Sequence, residues 1–93
     1  FMPKPFPHLT GNGCHTHLSL WDSTGTTNLF HDTEGVLGLA PLAYQFIAGV
    51  LHSAEALCAF TNPTVNSYKR INAPVTLSGA TWSPSTISYS GNN

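Results

Sequence analysis

Two imidazoles and a hydroxyl recur at alternate positions in this chain, at His15, His17 and Ser19. They sit in the run Gly11-Asn12-Gly13-Cys14-His15-Thr16-His17-Leu18-Ser19-Leu20, which opens on glycines and then nearly alternates polar with apolar residues. Successive side chains of an extended strand point to opposite faces, so this spacing puts His15, His17 and Ser19 on one wall. Cys14, Leu18 and Leu20 then turn toward a core. Imidazole nitrogens ligate metals and a hydroxyl bonds phosphate oxygens, so the wall is a candidate metal and phosphate site.

A pair of surface strand histidines is the plainer alternative, and a bare His-x-His pattern is shared by zinc hydrolases and cupin-type barrels. Zinc needs further ligands, and His8, His31 and His52 lie in a proline stretch, a turn and a helix with no ligand spacing. Arg70 is the single arginine of the chain. Its planar fork suits a bidentate clamp on a carboxylate or phosphate; the bland reading is a solvated arginine near a loop. Lys69 alternates with it and points elsewhere. Trp21 and Trp82 read as core or interface anchors.

The elements that must position these groups follow from local pattern. Pro3, Pro5 and Pro7 hold residues 1–7 extended but unfit for the middle of a sheet, so they form an edge strand or an approach to the Gly11–Gly13 turn. A strand is expected over 14–21, then a turn at Asp22-Ser23-Thr24-Gly25-Thr26-Thr27-Asn28 with an exposed tip and Leu29-Phe30 as a short return strand. Apolar residues at three- and four-residue spacings predict a helix over 39–60, with Pro41 in its first turn and Asn62-Pro63 ending it. The helix is apolar around most of its circumference, which predicts burial on several sides. Gly49 or the His52-Ser53 step is where it would kink, and Gln45, His52 and Glu55 favour a core helix over a membrane span. A polar stretch through Arg70 and short β segments over 73–84 and 86–89 complete the chain.

The charged fraction is 8%, against roughly 25% in ordinary globular domains, while 41% of the 93 residues are hydrophobic. That balance argues against disorder. It points to a surface meant to touch other protein, in a piece of a larger enzyme or assembly. A net charge of −1 leaves no basic footprint for nucleic acid and no polybasic patch for a membrane. Cys14 and Cys58 form no metal pair by spacing, and buried free thiols in a reducing compartment make the cytoplasm the expected location.

Taken together, these segments resemble the catalytic domain of the glutamine synthetase family. The residues that carry the resemblance are Lys4-Pro5, the run from Gly11 to Trp21, Phe46-Ile47-Ala48-Gly49-Val50-Leu51-His52, and Thr61-Asn62-Pro63-Thr64-Val65-Asn66-Ser67-Tyr68-Lys69-Arg70. The order and spacing of these blocks are far more specific than a His-x-His pair. Residues 1–93 are therefore expected to be an internal, incomplete segment of one catalytic domain. The implied fold is α+β, with antiparallel curved strands and a long buried helix.

The resemblance implies ATP-dependent joining of ammonia or a small alkylamine to the γ-carboxylate of glutamate, through γ-glutamyl phosphate. It implies Mg²⁺ or Mn²⁺ as the metal and a homo-oligomeric ring for the full-length protein. Carried over by position, His15 would ligate metal, and His17, Leu18 and Ser19 would contact ATP. Thr10 and Gly11 would hold glutamate, and Arg70 would pair with its carboxylate as a catalytic and substrate-binding residue. Such chemistry runs on positioning and charge neutralisation, without a protein nucleophile.

Departures from the family pattern are Thr10 where many members have Asn and Cys14 where Met is common. Arg70-Ile71-Asn72-Ala73-Pro74 is shorter than in many members and lacks their Gly-Tyr-Glu, whose acid helps deprotonate ammonium. The resemblance is closest to a divergent branch, some of whose members join methylamine to glutamate. The alternatives are a catalytically silent relative with a structural or regulatory role and an unrelated His-x-His metallohydrolase. The 93-residue segment alone is expected to be inactive.

Overall fold

The computed structural model describes residues 1–76 and 83–89. Its elements are a 3₁₀ turn, Val36–Gly38, followed by helices α1 (Pro41–His52), α2 (Ala54–Thr61) and α3 (Val65–Arg70). Two compact units share the chain, one made of Phe1–His15 with Glu55–Ile87, the other of Thr16–Ala54 with Ser88–Asn93.

The expected α+β architecture with antiparallel curved strands is overturned, because the described residues are helical or irregular and contain no β-strand. Residues 10–20 carry no strand pairing. Antiparallel pairing survives only as isolated bridges, Trp21 with Asn28 and His31 with Leu39. A strand exists only where a neighbour takes up its N–H and C=O groups. The sequence pattern places side chains on faces, yet supplies no such neighbour. The β segment expected over 73–84 falls partly outside the described residues, as does Trp82, and 86–89 is not a strand.

In the Thr16–Ala54 unit the expected turn does form. Leu29 N–H donates to Leu20 O at 2.7 Å and Asp22 N–H to Thr27 O at 3.0 Å, with residues 23–27 exposed at the tip. Further on, the chain doubles back through Ala40 N–H to Phe30 O at 3.0 Å and Asp32 N–H to Gly38 O at 3.0 Å. Leu37, at φ 57°, lies in the left-handed region inside the 3₁₀ turn. Helix α1 begins with Pro41 in its first turn, where the missing N–H costs no bond. The Tyr44 hydroxyl donates to Val36 O at 2.7 Å, and the Phe46 ring meets Phe30 with centroids 5.3 Å apart. These contacts tie the helix to the turn before it.

The long helix expected over 39–60 is interrupted at Ser53, whose φ of −97° and ψ of 8° leave helical geometry. This is the His52-Ser53 step named above. Burial on several sides is not found. Leu42, Phe46, Val50, Leu57 and Phe60 are exposed, and Ala43 is the buried residue of α1. Among the described residues no single helix is long and apolar enough to cross a membrane.

In the unit holding Phe1–His15 and Glu55–Ile87, α3 occupies a stretch read from the sequence only as polar. Thr64 caps it. The Thr64 N–H donates to Ser67 Oγ at 3.4 Å, and the two hydroxyl oxygens lie 3.1 Å apart. Ser67 is the most buried side chain in the described structure, at 1% exposure. After the helix, Asn72 takes a left-handed φ of 56° and donates its N–H to Pro84 O at 2.8 Å.

Candidate functional site

The strand expected to carry His15, His17 and Ser19 does not form. His15, His17 and Ser19 are exposed, and so are Cys14, Leu18 and Leu20, which were expected to face a core. The Ser19 hydroxyl accepts a hydrogen bond from Trp21 Nε1 at 3.0 Å, so the indole holds the group expected to meet phosphate. Trp21 itself is exposed and anchors no core. Cys14 is an exposed thiol and Cys58 a half-buried one, both free, which corrects the expectation of two buried thiols.

No group of three or more His, Cys, Asp or Glu side chains among the described residues could hold a metal ion. Mg²⁺ asks for near-octahedral oxygen ligation, and His15 offers one nitrogen. The described residues do not by themselves fit a metal centre and supply at most part of a ligand set. His8, His31 and His52 are exposed and join no such group.

Gly11 and Arg70 are brought together. A Cβ built on Gly11 would run into Arg70 Cδ and the Pro3 carbonyl oxygen, and would come within 2.8 Å of Arg70 Nε. Absence of a side chain is therefore what permits this approach. Arg70 ends α3, and its Nε and Nη1 atoms are buried. Thr10 and Lys69 are exposed.

Sequence reasoning missed the groups that build this contact. Lys4 is 5% exposed, and its ammonium donates to the Leu9 carbonyl. The Lys4 backbone is gripped at both ends by one side chain: its N–H donates to Asn66 Oδ1 at 2.7 Å, and Asn66 Nδ2 donates to its carbonyl at 2.7 Å. Asn12 closes the loop from the other side, N–H to Pro3 O at 2.8 Å and Nδ2 to Met2 O at 2.9 Å. The available signal was the i, i+4 spacing of Asn66 and Arg70, which puts them on one helix face.

The Asp22 carboxyl is lowered from 3.8 to about 2. The Thr26 backbone N–H is the main cause. Desolvation opposes it, while the Thr27 N–H and the Thr24 and Thr26 hydroxyls add to it. This is turn chemistry: Asp22 Oδ1 accepts from Thr26 N at 2.9 Å and from Thr24 Oγ1 at 3.0 Å.

Known proteins place this geometry in context. A family model described as the glutamine synthetase catalytic domain matches residues 1–93. The chain is 60% identical to a glutamine synthetase of Rhizobium leguminosarum bv. phaseoli and 57% identical to one of Rhizobium meliloti, each over 100% of this chain and 21% of the relative. It is 53% identical to a glutamate–methylamine ligase of Methyloversatilis universalis, over 100% of this chain and 21% of that protein. The chain thus spans about a fifth of the length of the curated relatives it matches. No solved structure matches it. End-to-end agreement with the family model means that the chain belongs to the glutamine synthetase catalytic-domain family.

Proposed function

We propose that this chain is an internal segment of the catalytic domain of an ATP-dependent glutamate–amine ligase. The observation that carries the reading is its match, over its whole length, to relatives named glutamine synthetase and glutamate–methylamine ligase. In the proposed reaction the γ-phosphoryl group of ATP passes to the γ-carboxylate of glutamate and ADP leaves. The amine nitrogen then attacks the acyl carbon, phosphate departs, and a proton is lost from nitrogen. Ammonia and a small alkylamine such as methylamine are the candidate acceptors.

Gly11, with Thr10 beside it, and Arg70 form the glutamate seat in this proposal. The close approach of Gly11 to the Arg70 stem supports it, because a carboxylate bound by the guanidinium fork would lie next to bare backbone. His17, Leu18 and Ser19 would contact ATP, and His15 would give one ligand to Mg²⁺ or Mn²⁺, the remaining ligands coming from outside these residues. The metal's contribution would be neutralisation of phosphate charge. A homo-oligomeric ring in the cytoplasm belongs to the same reading. The large exposed apolar side chains of α1 and α2 are consistent with contact to further protein.

The test is an amine panel on the full-length protein, scored by ATP- and glutamate-dependent phosphate release. Release stimulated by ammonia or methylamine is expected, and the better substrate names the acceptor. No release with any amine would favour the catalytically silent relative, a reading motivated by the missing acid between Arg70 and Pro74.

A further inference from the structure

Asn66 makes two hydrogen bonds across 62 positions of sequence, both to the backbone of Lys4. A carboxamide that accepts from an N–H and donates to the C=O of the same residue mimics one step of a strand ladder. It fixes the extended Pro3-Lys4 segment to the first turn of α3. Lys4 in turn holds Leu9 through its ammonium, and Pro3 and Met2 hold Asn12. The Gly11 loop is thus tied on one side to Lys4, which Asn66 grips, and on the other to Pro3 and Met2 just before it. Arg70 leaves the same helix four positions on.

We infer that Asn66 is a positioning residue for glutamate: by clamping Lys4 to α3, it sets the separation between Gly11 and Arg70. The inference rests on the proposed role of that pair as the glutamate seat. The Asn66 carboxamide is engaged by the Lys4 N–H and C=O. It acts through the Lys4 backbone, so its removal lets the loop drift from the arginine while leaving the arginine's own chemistry intact. A displacement of about 1 Å in such a seat costs on the order of 100-fold in rate.

Two variants of the full-length protein test this. Asn66→Ala removes both bonds, and the near-isosteric Asn66→Asp removes the donor while keeping the shape. Both are expected to raise KM for glutamate by about tenfold or more, with KM for ATP held within about twofold. Hydrogen exchange supplies a readout independent of turnover: the Asn12 amide, bonded to Pro3 O, is expected to exchange faster, with the Asp22–Thr27 turn unchanged. Unchanged Asn12 exchange in a folded variant, or a KM for glutamate no different from wild type, overturns the inference. So does an equal rise in both KM values, which marks a merely structural role. Failure of the ligase reading looks different, since it appears in the wild type as no glutamate-dependent phosphate release. In that event the Asn12 exchange still decides whether the clamp exists.

Discussion

At Gly11 a single methyl group is enough to disturb the candidate site, because the position is walled by Arg70 on one side and the Pro3 carbonyl on the other. Gly11→Ala in the full-length protein is expected to push the Arg70 side chain away and weaken glutamate binding by about 1–3 kcal/mol, read as a rise in KM for glutamate. An unchanged KM would mean the contact is not part of the seat. Arg70→Lys is the companion change. It keeps the charge and loses the planar fork, so an expected loss of about 1.5–3 kcal/mol in glutamate binding measures what bidentate geometry contributes. Asp22 gives a test that needs no substrate. Its carboxyl is held at about 2, below 3.8, chiefly by the Thr26 amide. A lowered value means that the ionised form stabilises the turn; that stabilisation is full above about pH 4 and is lost as pH falls through 2. Titration of the Asp22 side-chain carbon by NMR should show its midpoint near 2, and a midpoint near 3.8 would remove the Thr26 bond from the account.

Among the elements, α3 shows how a short helix can be set by its ends. Six residues are too few to be helical on propensity alone, and the apolar periodicity that predicts helices is missing from Val65-Asn66-Ser67-Tyr68-Lys69-Arg70. What holds it is the Thr64–Ser67 cap, the burial of Ser67 and the Asn66 clamp. Ser67→Ala leaves Thr64 without its partner and is expected to destabilise the full-length protein by about 0.5–2 kcal/mol, measured as a lower denaturant midpoint at constant m-value. A loss within experimental scatter would mean that tertiary contacts alone hold α3. The same element explains what the sequence could convey. Cap chemistry was present in Thr64 and Ser67, yet the neighbouring Asn62-Pro63 reads as a stop and masks the restart. The run from Cys14 to Leu20 fails in the opposite sense: its alternation fits a strand, and strand formation depends on a partner that no local pattern supplies. The break at Ser53 and the turn at Asp22 were legible because glycine, proline and short polar side chains act locally. Arg70 was singled out by its chemistry, whereas the hydrogen bonds between Lys4 and Asn66 were not legible, since they span 62 positions of sequence.

For the molecule as a whole the decisive quantity is buried apolar surface. Hydrophobic residues make up 41% of the chain, but among the described residues Ala43 and Pro3 are the apolar ones buried. Leu18, Leu20, Leu42, Phe46, Val50, Leu57 and Phe60 are all exposed. Burial of each such side chain is worth roughly 1.5–3 kcal/mol, and ordering each residue costs about 1–2 kcal/mol in backbone entropy. With so little apolar burial among the described residues, a few hydrogen bonds such as those of the Asp22 turn and the Asn66 clamp are not enough for one cooperative state. The 93-residue chain on its own is therefore expected to bind a fluorescent apolar dye strongly and to melt without a sharp transition. It should also release no phosphate from ATP in the presence of glutamate and amine, because no metal-binding group is complete among the described residues. Calorimetry beside a phosphate assay checks both halves. A single sharp endotherm would show that the chain finds its own core, and turnover would show that the segment carries a complete site, so either result would require the chain to be read as a self-sufficient unit.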